Sequence, residues 1–203
     1  MFIRNEPFRL FLKLYPITAI ILAINIAVYL MLFVCTYFHL APDFAYSFIL
    51  FFGRTHAAIA DGWWWQLITP VFLHSDFAHI LFNAFSIFIF APALESLLGK
   101  FRFAFIYMAV GVISNLLALF LEPNVLSYGA SSAIYGLFGI YLFLILFHKE
   151  QIGRQDRVIV LGFLVLNLIF SFTDSKIDVI SHFTGLLAGL ALAPLFLIHR
   201  LRQ

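Results

Sequence analysis

The stretch SYGASSAIYGLFG, Ser127 to Gly139, places two adjacent serines among glycines and then continues into apolar residues as far as His148. An apolar run of this length is typical of a membrane helix. A membrane span itself requires only apolar side chains, so hydroxyls and glycines at its start need another explanation. The stretch therefore indicates a helix in lipid and raises the question of what its polar first turn does.

The composition of the whole chain is that of a membrane protein. It has 203 residues, of which 64% are hydrophobic and 11% are charged, whereas a soluble domain has about 25% charged residues. A water-soluble fold of this size cannot bury so much apolar surface, so we expect the lipid bilayer to be the main solvent. The net charge of +2 does not suggest a nucleic-acid partner. A single cysteine, Cys35, excludes an intrachain disulfide.

Six apolar stretches approach the roughly 20 residues that a helix needs to cross the hydrocarbon core. They are residues 16–38, 77–99, 102–121, 131–148, 157–173 and 180–198. The first is longer than the apolar region of a signal peptide and lacks a clear small-residue cleavage site, so we interpret it as a retained helix. The sequence predicts an all-α membrane protein, one domain over 1–203, with six transmembrane helices and a long first extracytoplasmic loop at about 39–76.

Lysine and arginine predict the orientation, because they accumulate in cytoplasmic loops. With a cytoplasmic N-terminus, ten of the 12 basic residues lie inside and only Arg54 and Lys176 lie outside. The inside set is Arg4, Arg9, Lys13, Lys100, Arg102, Lys149, Arg154, Arg157, Arg200 and Arg202. We therefore expect both termini in the cytoplasm of a cell-membrane protein. The second, fourth and sixth spans then run from outside to inside.

Three polar residues in these spans share one predicted depth. Asn83, Ser131 and His182 each precede the inner end of their span by 17 residues, where Lys100, His148 and His199 mark those ends. At 1.5 Å per residue they lie about 25 Å above the inner boundary, slightly below the outer surface. Each alone is more simply interpreted as a packing or hydrogen-bonding residue. Polar groups within spans are costly, however, and three at one level indicate a functional site.

Small residues predict which helices meet. His182, Gly185 and Gly189 lie on one helix face at i, i+3 and i+7, while Ser132 and Gly136 form a small-residue pair in the fourth span, with Gly139 one turn further on. An ordinary tight helix pair explains this spacing too. If the faces meet, however, Ser131 and His182 come within hydrogen-bond range, and the imidazole can activate the serine as a nucleophile.

The same end of the predicted bundle offers donors for an oxyanion. Ser131 opens a helix, where free backbone N–H groups gather. His79 and Asn83 lie at i and i+4 on one face of the second span, and both side chains can donate hydrogen bonds. A nucleophile, a base and these donors together are the requirements of acyl transfer.

These residues resemble the motifs of the rhomboid family of intramembrane serine proteases. The family pattern H-x4-H-x3-N corresponds to His74, His79 and Asn83, and its G-x-S-x motif begins at Gly129 and places the serine at Ser131. Its H-x2-G-x3-G helix corresponds to His182, Gly185 and Gly189. The three motifs lie on alternate spans, in the family's order, and the match covers nearly the whole chain.

The resemblance implies a six-helix rhomboid-like bundle and a serine endopeptidase that cuts in or near transmembrane segments. It implies Ser131 as nucleophile and His182 as general base of a Ser–His dyad acting through an acyl-enzyme. It implies His79, Asn83 and the Ser131 backbone N–H as oxyanion donors. Tyr135 would pack against the catalytic imidazole, and Gly129 would keep the backbone before the serine open.

Further implications concern the surroundings of this site. His74 would be more structural than chemical. No metal or organic cofactor is implied. The partners would be transmembrane protein substrates, most simply single-span ones, entering laterally past the fifth span.

Two positions depart from the family pattern. Ser132 stands where relatives commonly have glycine, and Gln66 follows Trp65 where relatives often have arginine. The tryptophans 63–65 are interpreted equally well as an interfacial aromatic belt. Asp178 is expected to be a solvated charge in the outer loop, and Asn167 to serve helix packing.

Three other functions are alternatives to the protease. A non-catalytic rhomboid-like protein that binds membrane helices would lack the serine or the histidine, and both are present here. A metal site at His74 and His79 is disfavoured, because i, i+5 residues do not share a helix face and the chain has no H-E-x-x-H motif. A channel or transporter is disfavoured because the polar residues cluster near one side of the membrane.

Overall fold

The structure is a computed structural model that describes residues 2, 4–122, 125–173 and 178–201, the last four without their side chains. Lys176 and Arg202, which contributed to the predicted orientation, lie outside this part of the chain. Nine α-helices occur in the described residues. They are α1 (Phe8–Leu14), α2 (Pro16–Tyr37), α3 (Pro42–Phe52), α4 (His56–Ala60), α5 (Phe77–Leu98), α6 (Lys100–Leu121), α7 (Ser131–Phe147), α8 (Arg154–Ser171) and α9 (Val179–Leu201).

Helices occupy all six apolar stretches, with ends within three residues of the expected limits. Among the described residues, α2, α5, α6 and α9 are long and apolar enough to cross a membrane. The apolar helix α7 has only 17 residues, and α8 begins with the charged residues Arg154, Asp156 and Arg157. The chain is therefore an all-helical, multi-pass membrane protein.

The connection between α2 and α5 is folded rather than open. It contains α3, α4 and two 3₁₀ turns, Trp64–Leu67 and Thr69–Phe72. The buried side chain of Gln66 holds it together: its amide nitrogen donates to the carbonyls of Leu50 and Phe51, 2.8 and 3.1 Å away, and its oxygen accepts from the Thr55 N–H at 2.9 Å. The uncharged side chain of Gln66 thus holds this segment together by both donating and accepting hydrogen bonds.

The centre of the bundle is α7, which is buried from Ser132 to Tyr141. On one side, α9 approaches it so closely that backbones touch. A Cβ atom at Gly189 would overlap the carbonyl oxygen of Gly136, and one at Gly185 would overlap that of Ser132. The small-residue faces of α7 and α9 are therefore in direct contact. This approach places the start of α9 beside the start of α7.

A buried carboxylate fixes the start of α2. Glu95 of α5 is 2% exposed and accepts hydrogen bonds from the N–H groups of Ile17 and Thr18, at 2.9 and 2.8 Å, and from the Thr18 hydroxyl at 2.7 Å. These N–H groups belong to the first turn of a helix and have no acceptor within it. Glu95 thereby joins α2 to α5 at the end of the bundle opposite to Ser131.

Candidate active site

Ser131 is the first residue of α7 and follows a turn that only glycine fits. Gly129 has a φ of +131°, and a Cβ atom there would lie 2.6 Å from Nε2 of His79. The same Cβ position is 3.6 Å from the Ser131 hydroxyl. Glycine thus gives the turn its backbone angle and lets Ser131 Oγ and His79 Nε2 converge on one side of the chain.

The two adjacent serines differ in accessibility. Ser131 is partly exposed, whereas Ser132 is 3% exposed. The backbone carbonyl of Ser132 lies against Gly185 of α9. A hydroxyl that attacks an external substrate must be reachable. The structure therefore favours Ser131 over Ser132 as the reactive hydroxyl.

His182 lies in the first turn of α9 and is held on two sides. Its ring stacks on Tyr135 with centroids 4.3 Å apart, and its Nδ1 is 2.7 Å from the hydroxyl of Ser171. Within the described residues, Nε2 has no hydrogen-bond partner, and the expected Ser131–His182 hydrogen bond is not formed. Hydrogen bonds of this kind are often long before substrate binds. The nitrogen that is free to act as a base is Nε2.

Asn83 and His79 lie one turn apart at the start of α5. The Asp76 carboxylate caps this helix by accepting the His79 N–H at 2.8 Å. Asn83 is buried, and among the described residues its amide nitrogen has no hydrogen-bond partner. A buried donor without an acceptor is costly, and the cost is explained if the donor awaits a charge that forms during a reaction.

His74 has a positioning role that the sequence did not define. Its Nε2 accepts the Ala130 N–H at 3.4 Å, and its ring packs edge-on against His79 with centroids 4.8 Å apart. Burial, with a smaller contribution from His79, lowers the pKa of His74 to about 3. The ring is therefore neutral at physiological pH and can accept the Ala130 N–H. His74 thus supports both the turn before Ser131 and the His79 ring.

Comparison with known proteins shows which family the chain belongs to. Residues 61–199, more than half of the chain, match the family model described as the Rhomboid domain. A Bacillus subtilis (strain 168) protein named "Putative rhomboid protease YdcA" is 41% identical over 197 residues, which are 95% of this chain and 94% of that protein. This protein belongs to the rhomboid family.

Two more distant relatives carry protease names. "Rhomboid protease GluP" of Bacillus subtilis (strain 168) is 33% identical over 143 residues, covering 70% of this rhomboid chain and 28% of that protein. "Rhomboid-like protease 1" of Toxoplasma gondii is 30% identical over 204 residues, covering 95% of this chain and 70% of that protein. The region matched by the family model contains His79, Asn83, Ser131 and His182.

The expectation that Asp178 is a solvated charge in this rhomboid protein is wrong. Asp178 forms an ion pair of 2.6 Å with Arg54, whose side chain is 1% exposed. It also accepts the N–H and the hydroxyl of Ser181 and so caps α9. Burial alone would raise the pKa of Asp178, but hydrogen bonds from Ser127 and Ser181 and the charge of Arg54 outweigh it and hold the pKa below its ordinary value.

This ion pair connects two distant parts of the rhomboid fold. Arg54 follows α3 and forms an isolated backbone bridge with Ser127, just before the Gly129 turn. Its guanidinium also donates to the Asn115 carbonyl at 3.0 Å. The segment between α2 and α5 is thereby fixed to the start of the helix that carries His182. Arg54 stood out in the sequence only as one of two outside basic residues.

Proposed function

We propose that this rhomboid protein is an intramembrane serine endopeptidase working through a Ser131–His182 dyad. The observation that carries the proposal is that the Ser131 hydroxyl and His79 Nε2 both lie beside Gly129. They do so at the start of α7, where the backbone N–H groups are free. The protease names of the relatives support the same activity. No metal or organic cofactor takes part in this chemistry.

The proposed mechanism assigns each proton to a group. Ser131 Oγ attacks the carbonyl carbon of the scissile peptide bond while Nε2 of His182 takes the hydroxyl proton. The oxyanion that forms accepts hydrogen bonds from the Ser131 N–H, His79 and Asn83. His182 then protonates the leaving amine, and the C–N bond breaks to leave an acyl-enzyme. Water, activated by His182, hydrolyses the ester and restores Ser131.

The proposed membrane arrangement has six spans, with α7 and α8 added to the four longer helices. Both termini lie in the cytoplasm, as the distribution of basic residues indicates. Because α7 is short and starts at Ser131, the site would lie slightly below the extracytoplasmic surface, within reach of water. The proposed location is the cell membrane.

The proposed substrates are single-span membrane proteins. A transmembrane helix keeps its carbonyls bonded internally, so the segment to be cut must unwind before Ser131 can attack it. Small or helix-breaking residues near the cleavage site would ease this step. Among the helices around α7, α8 offers the route of lateral entry, since much of its surface is exposed.

Fluorophosphonate labelling followed by peptide mapping tests the proposed nucleophile. We expect wild-type protein to be labelled at Ser131 and Ser131→Ala to be unlabelled. His182→Ala should be labelled at least about 100-fold more slowly than wild type, because a general base usually contributes at least this factor. Ser132→Ala is the matched control and should be labelled like wild type. Labelling that survives in Ser131→Ala and disappears in Ser132→Ala would contradict the assignment.

A further inference from the structure

The hydroxyl of Ser171 joins three helices at the candidate base. Ser171 is the last residue of α8 and is 2% exposed. Its Oγ lies 2.7 Å from Nδ1 of His182 on α9, 2.9 Å from the hydroxyl of Tyr135 on α7, and 2.8 Å from the carbonyl oxygen of Asn167 on α8. All three distances are those of hydrogen bonds, so each contact needs a proton between its two atoms.

Counting these protons fixes the state of the imidazole. A serine hydroxyl has one proton and two acceptor lone pairs. The Asn167 carbonyl has no proton to give, so the Ser171 proton must lie in that contact. The other two protons then come from the Tyr135 O–H and from Nδ1–H of His182, both of which Ser171 accepts. If Ser171 donated to Nδ1 instead, it would leave two oxygens facing each other at 2.8 Å without a proton.

The resulting tautomer is the one that a general base requires. A neutral imidazole with its proton on Nδ1 has its lone pair on Nε2, which is the nitrogen without a partner in the described structure. In Ser–His–Asp enzymes the third residue holds the imidazole in this tautomer and orientation. Asp178 is not available for that role, because its carboxylate is paired with Arg54 and Ser181.

We infer that Ser171 is a positioning residue for the base, holding His182 as the Nδ1–H tautomer with Nε2 free for Ser131. This inference rests on the proposed protease function. A neutral hydroxyl orients the ring but brings no negative charge to stabilise the imidazolium, so its effect is smaller than that of a carboxylate.

The same contact couples the base to the position of α8. The outer side chains of Val165, Ile169 and Phe170 are exposed, and Ser171 ends that helix. The hydroxyl reaches His182 only while this end of α8 is docked against α7 and α9. Any displacement of α8 that admits a substrate therefore moves the Ser171 hydroxyl, which accepts Nδ1–H, away from His182. The hydrogen bond forms again when α8 returns.

The first test is direct observation of the tautomer. Full-length protein with ¹⁵N-labelled histidine is placed in lipid nanodiscs, and the His182 signals are assigned by their loss in His182→Ala. We expect the Nδ1–H tautomer in wild type and a mixture of tautomers in Ser171→Ala. The matched control is Thr173→Ala in the same chain segment, since within the described part of the chain the Thr173 hydroxyl bonds only to the Phe170 carbonyl. A wild-type tautomer in Ser171→Ala would overturn the inference.

The second test is kinetic. With a fluorogenic transmembrane substrate, Ser171→Ala should lower kcat about tenfold at unchanged KM, the factor that one ordinary hydrogen bond supplies. Thr173→Ala should match wild type, and Ser171→Thr, which restores a hydroxyl, should recover kcat. Should Ser171→Ala fail to fold, Ser171→Cys offers a weak acceptor of nearly the same size and should lower kcat in the same direction. An unchanged kcat in the folded variant would overturn the inference.

The two proposals fail in distinguishable ways. If wild-type protein neither cleaves nor reacts with a fluorophosphonate, the proposed function fails, while the tautomer experiment still tests the Ser171–His182 contact. If wild-type protein is active and folded Ser171→Ala keeps either the wild-type kcat or the wild-type tautomer, the protease stands and the positioning role falls.

Discussion

The imidazole of His182 lies flat against the ring of Tyr135, with centroids 4.3 Å apart and ring planes inclined by 15°. The stack fixes the plane of the imidazole ring, and the hydrogen bond between Nδ1 and Ser171 fixes the rotation of the ring within that plane. The base is therefore positioned by two helices other than its own. This arrangement gives the aromatic ring and the phenol hydroxyl of Tyr135 separate roles.

Removing the ring should harm activity more than removing the hydroxyl. Tyr135→Leu loses the stack, and we expect kcat to fall about tenfold, in line with the strength of an aromatic pair. Tyr135→Phe keeps the stack and the Ser171–His182 bond, so its kcat should stay within about threefold of wild type. Steady-state kinetics on both variants checks this, and equal losses in the two would contradict a role for stacking.

The turn at Gly129 should not tolerate a side chain. Gly129→Ala combines a φ of +131° with a Cβ atom 2.6 Å from His79 Nε2. We expect a loss of about 1–3 kcal/mol in the free energy of unfolding from the backbone angle, together with slow fluorophosphonate labelling because His79 is displaced.

Gly62→Ala is the matched control for that variant. Gly62 also has a positive φ, +94°, but a Cβ atom there meets no described residue within 4 Å. Its variant should lose stability and retain the wild-type labelling rate. If both variants are labelled at the wild-type rate, His79 and Gly129 do not shape the site.

The Arg54–Asp178 pair should make stability depend on pH. The folded-state pKa of Asp178 lies below its ordinary value of 3.8. The contribution of the ion pair is therefore complete above that ordinary value and is lost as pH falls through the lower, folded-state pKa. At pH 7 we expect Asp178→Asn to lose about 3–5 kcal/mol of unfolding free energy, because Arg54 is left buried without its partner.

Unfolding of Asp178→Asn and wild type across pH checks this prediction. The difference in unfolding free energy between Asp178→Asn and wild type should become smaller at acidic pH. The double variant Arg54→Gln/Asp178→Asn should lose less than the sum of the single variants, because the two residues contact each other. The control Asp61→Asn removes an exposed carboxylate from the segment between α2 and α5, which also contains Arg54. Its free energy of unfolding should differ little from that of wild type. A difference that is constant with pH would contradict the ion-pair account.

Glu95 should matter for stability and not for chemistry. Glu95→Gln keeps only one acceptor oxygen for three donors on Ile17 and Thr18, so we expect a loss of about 1–3 kcal/mol. Thr18→Val, which removes one donor, should lose less. Unfolding measurements test the loss, and kcat measured well below the unfolding transition should equal that of wild type. A lower kcat in folded Glu95→Gln would contradict this separation.

Local patterns in the sequence were enough to place the six long helices and the polar residues on them. Apolar runs gave the limits of the six long helices, and small-residue spacing pointed to the α7 and α9 faces that are in contact. The short helices α1, α3 and α4 were missed, because their apolar runs are short and lie outside the six predicted spans. The count of six membrane spans and the orientation stay predictions.

Three polar contacts between distant parts of the chain were not predictable. Asp178 looked like a loop charge because its partner, Arg54, is 124 residues away. Ser171 gave no signal, since its role appears only when the end of α8 returns beside the start of α9. His74 could be placed by its motif, but its bond to Ala130 depends on a turn 56 residues away.

The most direct test of the account is cleavage of a fluorogenic single-span substrate by the purified protein in lipid vesicles, with wild type, Ser131→Ala and His182→Ala measured side by side. We expect wild type to cleave within the transmembrane segment or next to it. Each variant should lose at least about 100-fold in rate, since a general base alone supplies this much. Cleavage by Ser131→Ala at the wild-type rate would contradict the account.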